Sequence, residues 1–233
     1  MATDYESLFD NFARYYFLTD FVSLGMAQSV RRKAIERSEL KAGSTVIDLM
    51  CGTGNNIRHL RKMLGARFNY IGIDASEKMI FIGKKRTADH ENYDFMKSDV
   101  LDFNNDDIKA DHIICTYGLK CIEENQYKIF ADQINRLLAV GGKITLTEFQ
   151  SPKNPVIKAI FNTYLNVFYS ALCLVFCGNN APVKTLMRCL SAPINTALLL
   201  ELLRQRDFNI HFERSWNDSV INIYGIKQAH QNH

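Results

Sequence analysis

Several features that mark particular classes of protein are missing from this sequence of 233 residues. Residues 1–10 carry three acidic side chains and lack the basic start and the apolar stretch of a signal peptide. The formal net charge is only +3, which is too small to favour nucleic acid as a partner. Internal repeats and low-complexity tracts are also absent. With 47% apolar residues, the chain is expected to be a globular protein with a sizeable core.

The six cysteines do not have the paired C-x2-C spacing of zinc sites, and no metal site is predicted. Several of them lie inside apolar strings, where a free thiol behaves as a small hydrophobic group. We therefore expect reduced thiols and a cytoplasmic protein.

A long uninterrupted hydrophobic run is missing as well. The longest apolar stretch, Tyr164 to Cys177, is interrupted by Asn166 and Ser170. It is shorter than the roughly 20 residues that a membrane-spanning helix needs. We expect it not to cross a membrane, although peripheral contact with one stays open. The basic runs Arg31–Lys33 and Lys84–Arg86 are expected to be solvated helix faces, or otherwise a docking patch for an acidic membrane surface.

From Lys41 onward, short apolar runs typical of buried strands alternate with segments of helical periodicity. The helix before the fifth strand is expected to reach Leu138 and to stop at Gly141–Gly142. The last two runs, joined through Asn217–Asp218, form a predicted hairpin. The pattern indicates an α/β fold, a Rossmann-like and mostly parallel seven-stranded sheet with an antiparallel last strand and helices on both faces. The predicted strands are 45–49, 68–73, 93–96, 112–116, 143–149, 208–214 and 220–226.

We expect one domain over 1–233. It comprises a helical N-terminal cap (1–40), a cofactor-binding core (41–150), a helical lid between strands five and six (151–206) and the terminal hairpin (207–227). In open α/β sheets, ligands bind beyond the carboxyl ends of the strands, so the cap and the lid are expected to cover that edge. Aromatic side chains are frequent in the cap: Phe9, Phe12, Tyr15, Tyr16, Phe17 and Phe21.

The strongest local signal is the segment from Asp48 to Asn55, which follows a strand and precedes a helix. Its glycines, Gly52 and Gly54, allow the backbone to approach a ligand closely. The third glycine of a dinucleotide-binding loop is missing, because Ile57 stands at that position. This disfavours a nicotinamide-dependent dehydrogenase.

Acidic residues lie at or just beyond the ends of three successive predicted strands. Asp48 would repel a pyrophosphate but would favour the ammonium and sulfonium of S-adenosylmethionine. Asp74 ends the second strand, where an acid meets a ribose diol in Rossmann-type sites. Asp99 follows the third strand and can accept from an adenine amino group. Each acid alone also fits a helix cap or a turn, but the three together predict an S-adenosylmethionine site.

The sequence resembles the class I S-adenosylmethionine-dependent methyltransferases, and among them the ubiquinone/menaquinone-biosynthesis C-methyltransferases, over nearly its whole length. The segments that carry the resemblance are Phe9-Asp10, Ala13–Tyr16, Leu24–Met26, Cys51–Gly54, Tyr117–Lys120, Leu138–Gly142, Leu146–Phe149 and Asn154-Pro155. The chain departs from that family's pattern mostly near the substrate end, at Met50, Lys120, Cys121, Asp207 and Asn217–Ser219.

The loop, the acids and the resemblance together imply a set of residues that contact S-adenosylmethionine. This set comprises Asp48, Met50, Gly52, Thr53, Gly54, Asn55, Asp74, Ala75, Met79, Ser98, Asp99, Val100, Thr116 and Tyr117.

Three residues are candidates for the acceptor side of the site. Methyl transfer from a sulfonium is an in-line displacement, for which the protein supplies position and electrostatics. Lys120 can stabilise a phenolate, Tyr117 can contact the acceptor, and Glu148 can act as a base or an orienting group. Their alternatives are, in turn, exposure to solvent, packing under the lid and pairing with a lysine. His59 and His211 are treated as structural.

The predicted lid has a broad apolar face at helical spacing. Packing on the sheet, a tunnel for an isoprenoid or acyl chain, and a membrane-contacting face all remain open. The residues of this face are Phe161, Tyr164, Leu165, Phe168, Tyr169, Leu172, Val175 and Phe176.

The predicted function is therefore methyl transfer from S-adenosylmethionine to a lipophilic or aromatic small molecule, with a quinol-precursor ring carbon as the leading acceptor. An oxygen or nitrogen acceptor, such as a specialised metabolite or a phospholipid amine, is one alternative. A non-catalytic S-adenosylmethionine-binding partner subunit is the other.

Overall fold

The structure is a computed structural model that describes residues 9–10, 13, 20, 23–105, 107–178, 183–184, 187–188 and 191–229. Much of the predicted N-terminal cap lies outside the described residues, including Phe12, Tyr15, Tyr16, Phe17 and Phe21.

One seven-stranded sheet organises the described part of the chain, and it confirms the predicted fold class. The strand order is β3-β2-β1-β4-β5-β7-β6. Strands β1 to β5 run parallel to one another, whereas β7 is antiparallel to both β5 and β6. The strands are β1 (Thr45–Leu49), β2 (Asn69–Asp74), β3 (Tyr93–Lys97), β4 (Ala110–Thr116), β5 (Leu138–Phe149), β6 (Phe208–Ser215) and β7 (Val220–Lys227).

Three of the helices begin at a side chain that caps them. Ser76 accepts a hydrogen bond from the Met79 N–H at 3.2 Å and starts α3. Asn154 does the same for α5, with Pro155 at the first helical position. The helices are α1 (Met26–Glu36), α2 (Ile57–Leu64), α3 (Glu77–Arg86), α4 (Tyr127–Leu137), α5 (Pro155–Tyr164), α6 (Ser170–Cys177) and α7 (Thr196–Arg204).

The core lies on both faces of the sheet. Ile47 and Leu49 of β1 belong to one buried cluster, which α4 and α7 cover. Val46 belongs to a second cluster, with residues of α1, α2 and α3. Alternate residues of a strand point to opposite faces, so β1 is buried on both sides, as the central strand of a parallel sheet requires.

The boundary between α4 and β5 differs from the prediction. The helix ends at Leu137, and Leu138 already has the extended conformation, with φ −92° and ψ 133°. Leu138 pairs with Ala110, after which the register of the two strands shifts. Gly141, with φ 79°, therefore lies inside an irregular strand and does not stop the helix. The periodicity was misleading because Leu138 is buried in either arrangement.

A continuous helix runs from Pro155 to Cys177, since the π-helical segment Leu165–Tyr169 joins α5 to α6. Residues Pro155–Phe176 form a helix of 22 residues whose most apolar window has a mean hydropathy of 1.5, which is sufficient by length and composition to cross a membrane. The helix thus begins nine residues before the apolar stretch Tyr164–Cys177 that was considered from the sequence.

The long helix packs in a cluster of its own. Leu165, Tyr169 and Cys173 are buried together with Val183, apart from the two clusters that flank the sheet. Leu165, Tyr169 and Cys173 therefore do not belong to the core clusters of the sheet, contrary to what the first alternative for the lid proposes.

Candidate active site

A cleft opens at the carboxyl edge of the parallel strands, where ligands bind in sheets of this kind. It encloses about 970 Å³, open solvent at its mouth included. Strands β1 to β4 and the turns that follow them provide most of its lining. The residues predicted to contact the cofactor that do line it are Met50, Gly52, Asp74, Ala75, Met79, Ser98, Asp99, Val100, Thr116 and Tyr117.

The loop after β1 turns sharply because several of its residues have positive φ. Met50 has φ 53°, Gly52 has φ 55° and Gly54 has φ 75°. A side chain at Gly54 would also collide with the Phe95 ring, 2.9 Å from its Cβ position. At Gly52 the same position has nothing within 4 Å, so the bare backbone there leaves room for a ligand.

Asp74 connects this loop to the next helix. Its Oδ2 accepts a hydrogen bond from the Gly52 N–H at 2.7 Å, and its Oδ1 accepts one from the Ser76 N–H at 2.9 Å. Burial raises the pKa of Asp74, and these two main-chain donors oppose the rise. Each carboxylate oxygen keeps a further lone pair, so the group can still accept from a ligand in the cleft.

The N-terminal segment closes one side of the cleft. Ser76 Oγ donates to Asp10 Oδ1 at 2.5 Å, and the Lys78 N–H also donates to that oxygen. The Ser76 hydroxyl is the main cause that lowers the pKa of Asp10. Phe9, the neighbour of Asp10, lines the cleft. The aromatic composition of the segment and the Phe9-Asp10 pair were the signals that could have identified Phe9 as a site residue.

Asp48 does not line the cleft. It is fully buried below the loop, where both its oxygens accept from Asn56 Nδ2 at 3.0 Å and Oδ2 accepts from the Tyr70 hydroxyl at 2.7 Å. Burial raises the pKa of Asp48 to about 6, against the effects of Tyr70, Asn56 and Arg31. In this geometry, Asp48 supports the loop from beneath.

Arg31 is buried, whereas Arg32 and Lys33 are exposed, so the expected solvated face is correct for only two of residues 31–33. Its Nη1 donates to Thr116 Oγ1 at 2.6 Å and to Asn56 Oδ1 at 3.2 Å. Its guanidinium lies 4.5 Å from the centre of the Tyr117 ring, within the range of a cation–π interaction. Helix α1 is thereby attached to the floor of the cleft. Sequence reasoning missed this role, because a basic run carries no signal that one member is buried.

Tyr117 lies at the end of β4 with φ 65°. Its hydroxyl donates to the Ala27 carbonyl of α1 at 2.7 Å, and its ring stacks on Phe149 at 4.8 Å. The ring faces the cleft, while the hydroxyl is engaged with α1.

Lys120 and Glu148, the other two catalytic candidates, are both buried and outside the lining of the cleft. Glu148 Oε1 accepts from the Phe149 N–H at 2.8 Å, and within the described residues Oε2 has no hydrogen-bond partner. Burial raises the pKa of Glu148 to about 7, and the Lys120 ammonium is the largest influence opposing the rise. The two side chains therefore form an electrostatic pair beneath the turn that follows β4.

Thr53, Gly54 and Asn55 also lie outside the lining of the cleft. Arg86 of α3 holds the loop from its outer side, donating to Thr53 Oγ1 at 2.9 Å and to Asn55 Oδ1 at 3.2 Å. His59 is paired with Gln28 at 2.7 Å.

The structure adds lining residues that are not among those predicted to contact the cofactor or the acceptor. Five of them lie between β4 and α4, and two of these five, Gly118 and Cys121, fall in or beside the segment Tyr117–Lys120 that carries the family resemblance. These additional residues are Phe9, Ile73, Ser76, Leu101, Gly118, Cys121, Ile122, Glu123 and Gln126.

The residues of the cleft fit S-adenosylmethionine and not a dinucleotide. Asp74 supplies a carboxylate for a ribose diol, and Asp99 supplies another beside the apolar side chains of Met79, Val100 and Ile122. The open space over Gly52 admits the amino-acid part of the ligand. Two carboxylates facing the cleft would repel a pyrophosphate.

Comparison with known proteins agrees with this fit. The sequence profile of the ubiE/COQ5 methyltransferase family matches residues 3–227. The demethylmenaquinone methyltransferase of Staphylococcus haemolyticus is 25% identical over 224 residues, which are 95% of this chain and 93% of that enzyme. The Staphylococcus saprophyticus enzyme of the same name is 28% identical over 151 residues, covering 65% of this chain and 64% of its own length. The 2-phytyl-1,4-naphtoquinone methyltransferase of Nostoc punctiforme is 29% identical over 172 residues, 72% of this chain and 74% of that one.

The solved complex of DhpI with SAH has the same fold, with a TM-score of 0.70, 13% identity, and coverage of 99% of this chain and 98% of the other. The matched profile, the relatives and the cleft agree in one assignment. The chain belongs to the ubiE/COQ5 methyltransferase family and is an S-adenosylmethionine-dependent methyltransferase.

Proposed function

We propose that the methyl acceptor is a ring carbon of a lipophilic hydroquinone. The observation that carries the proposal is the full-length family match, together with relatives that are named for demethylmenaquinone and 2-phytyl-1,4-naphtoquinone. The cleft is compatible with it, because the segment after β4 adds the apolar side chains of Cys121 and Ile122 next to the cofactor residues, beside the polar side chains of Glu123 and Gln126.

Methyl transfer to carbon requires an electron-rich carbon next to a sulfonium methyl group. When bound, S-adenosylmethionine supplies that electrophilic methyl group. The residues of this chain hold both reactants in line and exclude water. A hydroquinone becomes nucleophilic at carbon when a neighbouring hydroxyl is ionised, so a group that accepts or stabilises the proton assists the reaction.

We assign Lys120 and Glu148 to positioning and not to direct contact with the acceptor. Both are buried beneath the turn that carries Gly118 and Cys121 into the cleft. A carboxyl whose pKa is about 7 titrates near neutral pH. The net charge of the Glu148–Lys120 pair therefore changes in that pH range. Through this turn, the pair adjusts the electrostatic potential at the acceptor end of the cleft.

The proposal includes a cytoplasmic location. The described cysteines are free thiols, and Cys51, Cys115 and Cys173 among them are buried, which suits a reducing compartment.

The test is an acceptor assay with the purified protein and S-adenosylmethionine labelled with ¹³C in the methyl group. A demethylmenaquinol with a short side chain, kept reduced, is the first acceptor, and the oxidised quinone is the control. We expect a product whose ¹³C shift is that of a ring methyl group, and none from the quinone. A methoxy or N-methyl product, or turnover only with amines, would overturn the carbon assignment in favour of an oxygen or nitrogen acceptor.

The remaining alternative, a partner subunit without activity of its own, makes a different prediction. It expects tight binding of S-adenosylhomocysteine without turnover of any acceptor. Calorimetry in the same samples shows whether the cofactor site works, and product formation from any acceptor by the isolated chain would exclude the partner-subunit alternative.

A further inference from the structure

The long helix from Pro155 to Cys177 presents an apolar outer face. Most of the 18-residue window that makes it apolar is exposed, since only 17% of that window is buried. Apolar patches of this extent mark interaction sites in proteins. The outer face comprises Val156, Ile160, Val167, Phe168, Leu174, Val175 and Phe176, with exposures from 43% to 78%.

The opposite side of the helix is fixed to the protein. Leu165, Tyr169 and Cys173 recur every four residues and are buried against Val183. From Leu165 to Cys173 the helix therefore packs against the protein on one side and exposes hydrocarbon on the other, whereas residues 155–160 are exposed all round. This is the arrangement of an interfacial helix, whose apolar face sinks a short way into the boundary between headgroups and acyl chains.

The charged residues in the sequence around the helix are all basic, although Lys153 pairs with Asp218 at 3.2 Å. From Glu148 to Glu201 the sequence contains no acidic residue between them, but it contains Lys153, Lys158 and Lys184, as well as Arg188. Lys158 lies on the helix itself, and Lys184 lies next to Val183 of the buried cluster. Both lysines are exposed.

Two other occupants of the outer face fit these observations less well. A second copy of the chain would bring lysines of the same sign together, which opposes association. A spanning orientation would separate Leu165, Tyr169 and Cys173 from Val183 and would draw Lys158 toward the hydrocarbon, which is costly. An anionic lipid surface would bury the exposed apolar side chains and would attract the lysines to its headgroups.

We propose that the outer face of helix 155–177 docks the protein on the surface of an anionic lipid bilayer. The docking is peripheral, with the helix axis parallel to the membrane. It goes beyond the methyl-transfer reaction and is independent of the acceptor's identity. It also gives a lipid-borne acceptor a short path to the protein.

The test is flotation of the full-length protein, without S-adenosylmethionine or acceptor, with two kinds of vesicle. One kind is pure phosphatidylcholine, and the other contains about one third phosphatidylglycerol. We expect flotation with the anionic vesicles, weaker flotation with the neutral ones, and weakening by salt. The double variant Val175→Ser/Phe176→Ser should lower the partition coefficient at least tenfold, because it removes exposed hydrocarbon from the outer face.

Matched variants separate this face from the rest of the surface. Phe81→Ser removes an aromatic side chain of 66% exposure on α3 and should leave flotation unchanged. Lys158→Gln/Lys184→Gln should weaken binding to anionic vesicles by about fivefold or more per charge. Lys84→Gln/Lys85→Gln, also exposed, should not weaken it.

Melting curves establish that the variants are folded. The proposal is overturned if the wild-type protein does not float. It is also overturned if Val175→Ser/Phe176→Ser floats like wild type, or if sedimentation shows a dimer that this variant abolishes. Turnover of a short-chain, water-soluble acceptor should be the same in the variants and in wild type. A failure of the proposed acceptor would thus leave the flotation result intact.

Discussion

Replacement of Asp74 by Asn tests the cofactor site most directly. The Asp74 carboxylate lines the cleft and accepts from the Gly52 and Ser76 N–H groups at 2.7 and 2.9 Å. With one further lone pair on each oxygen, it can accept from both hydroxyls of a ribose. Asn keeps one of the two oxygens and turns an amide NH2 toward a main-chain N–H that has lost its acceptor.

The expected loss follows from the hydrogen bonds. A hydrogen bond to a charged group contributes about 1.5 to 3 kcal/mol. Losing the charge from two such bonds, and one acceptor outright, should cost about 3 kcal/mol. That free energy corresponds to roughly a 100-fold weaker affinity. The free energy of unfolding should change less, because the substitution also removes a buried charge whose pKa is raised by burial.

The measurement is calorimetric titration with S-adenosylhomocysteine. The matched control is Asp94→Asn, which alters an exposed aspartate on the neighbouring strand β3 and should bind like wild type. A dissociation constant for Asp74→Asn within about threefold of wild type would refute the assignment of this carboxylate to the ligand.

Three further predictions follow from the packing around the cleft. Burial raises the pKa of Glu148 from 4.5 to about 7, so the folded state keeps a proton that the unfolded state has lost, and its stability contribution declines as pH rises from 4.5 to 7. The free energy of unfolding of Glu148→Gln, relative to that of wild type, should therefore rise by about 3 kcal/mol between pH 4.5 and pH 8. Urea denaturation of both proteins at the two pH values measures this difference. The same difference at both pH values would contradict a buried acid with a raised pKa. Gly118→Ala places a Cβ 2.8 Å from Met50 Cβ and should lower the free energy of unfolding by about 1 to 3 kcal/mol. In the background of Met50→Gly, the same substitution should cost much less, and equal costs in both backgrounds would disprove the contact. Tyr117→Phe removes the hydrogen bond to Ala27 and should cost about 1 kcal/mol of stability while kcat stays within about threefold. A large loss of kcat would instead give the hydroxyl a role in the reaction.

Several predictions from the sequence depended on local patterns and agree with the structure. The alternation of strand and helix periods predicted the seven-stranded sheet, and the turn at Asn217–Asp218 predicted the antiparallel β7. In the turn, Asn217 and Asp218 have φ 52° and 64°, a conformation that these residue types tolerate. The local patterns failed at Leu138, where helix and strand both bury the same side chain, and pairing with Ala110 decides for the strand.

In the site too, local sequence predicted some features, and tertiary contacts decided the others. Asp48 is the next-to-last residue of β1 and Asp74 is the last residue of β2, and both follow runs of similar composition. The direction of a side chain at a strand end depends on the register of the strand and on what packs against it. Asp48 is enclosed by Asn56 and Tyr70, whereas Asp74 lines the cleft. The sequence alone could not distinguish these environments.

By itself, then, the sequence determined the order of the elements, the glycine loop and the acids that follow the first three strands, because each is a property of neighbouring residues. Only the tertiary structure decided that Arg31 is buried against the floor of the cleft, that Phe9 joins its lining, and that the helix from Pro155 has an exposed apolar face. These features depend on contacts between residues far apart in the chain, and such contacts leave no periodic signal in the sequence.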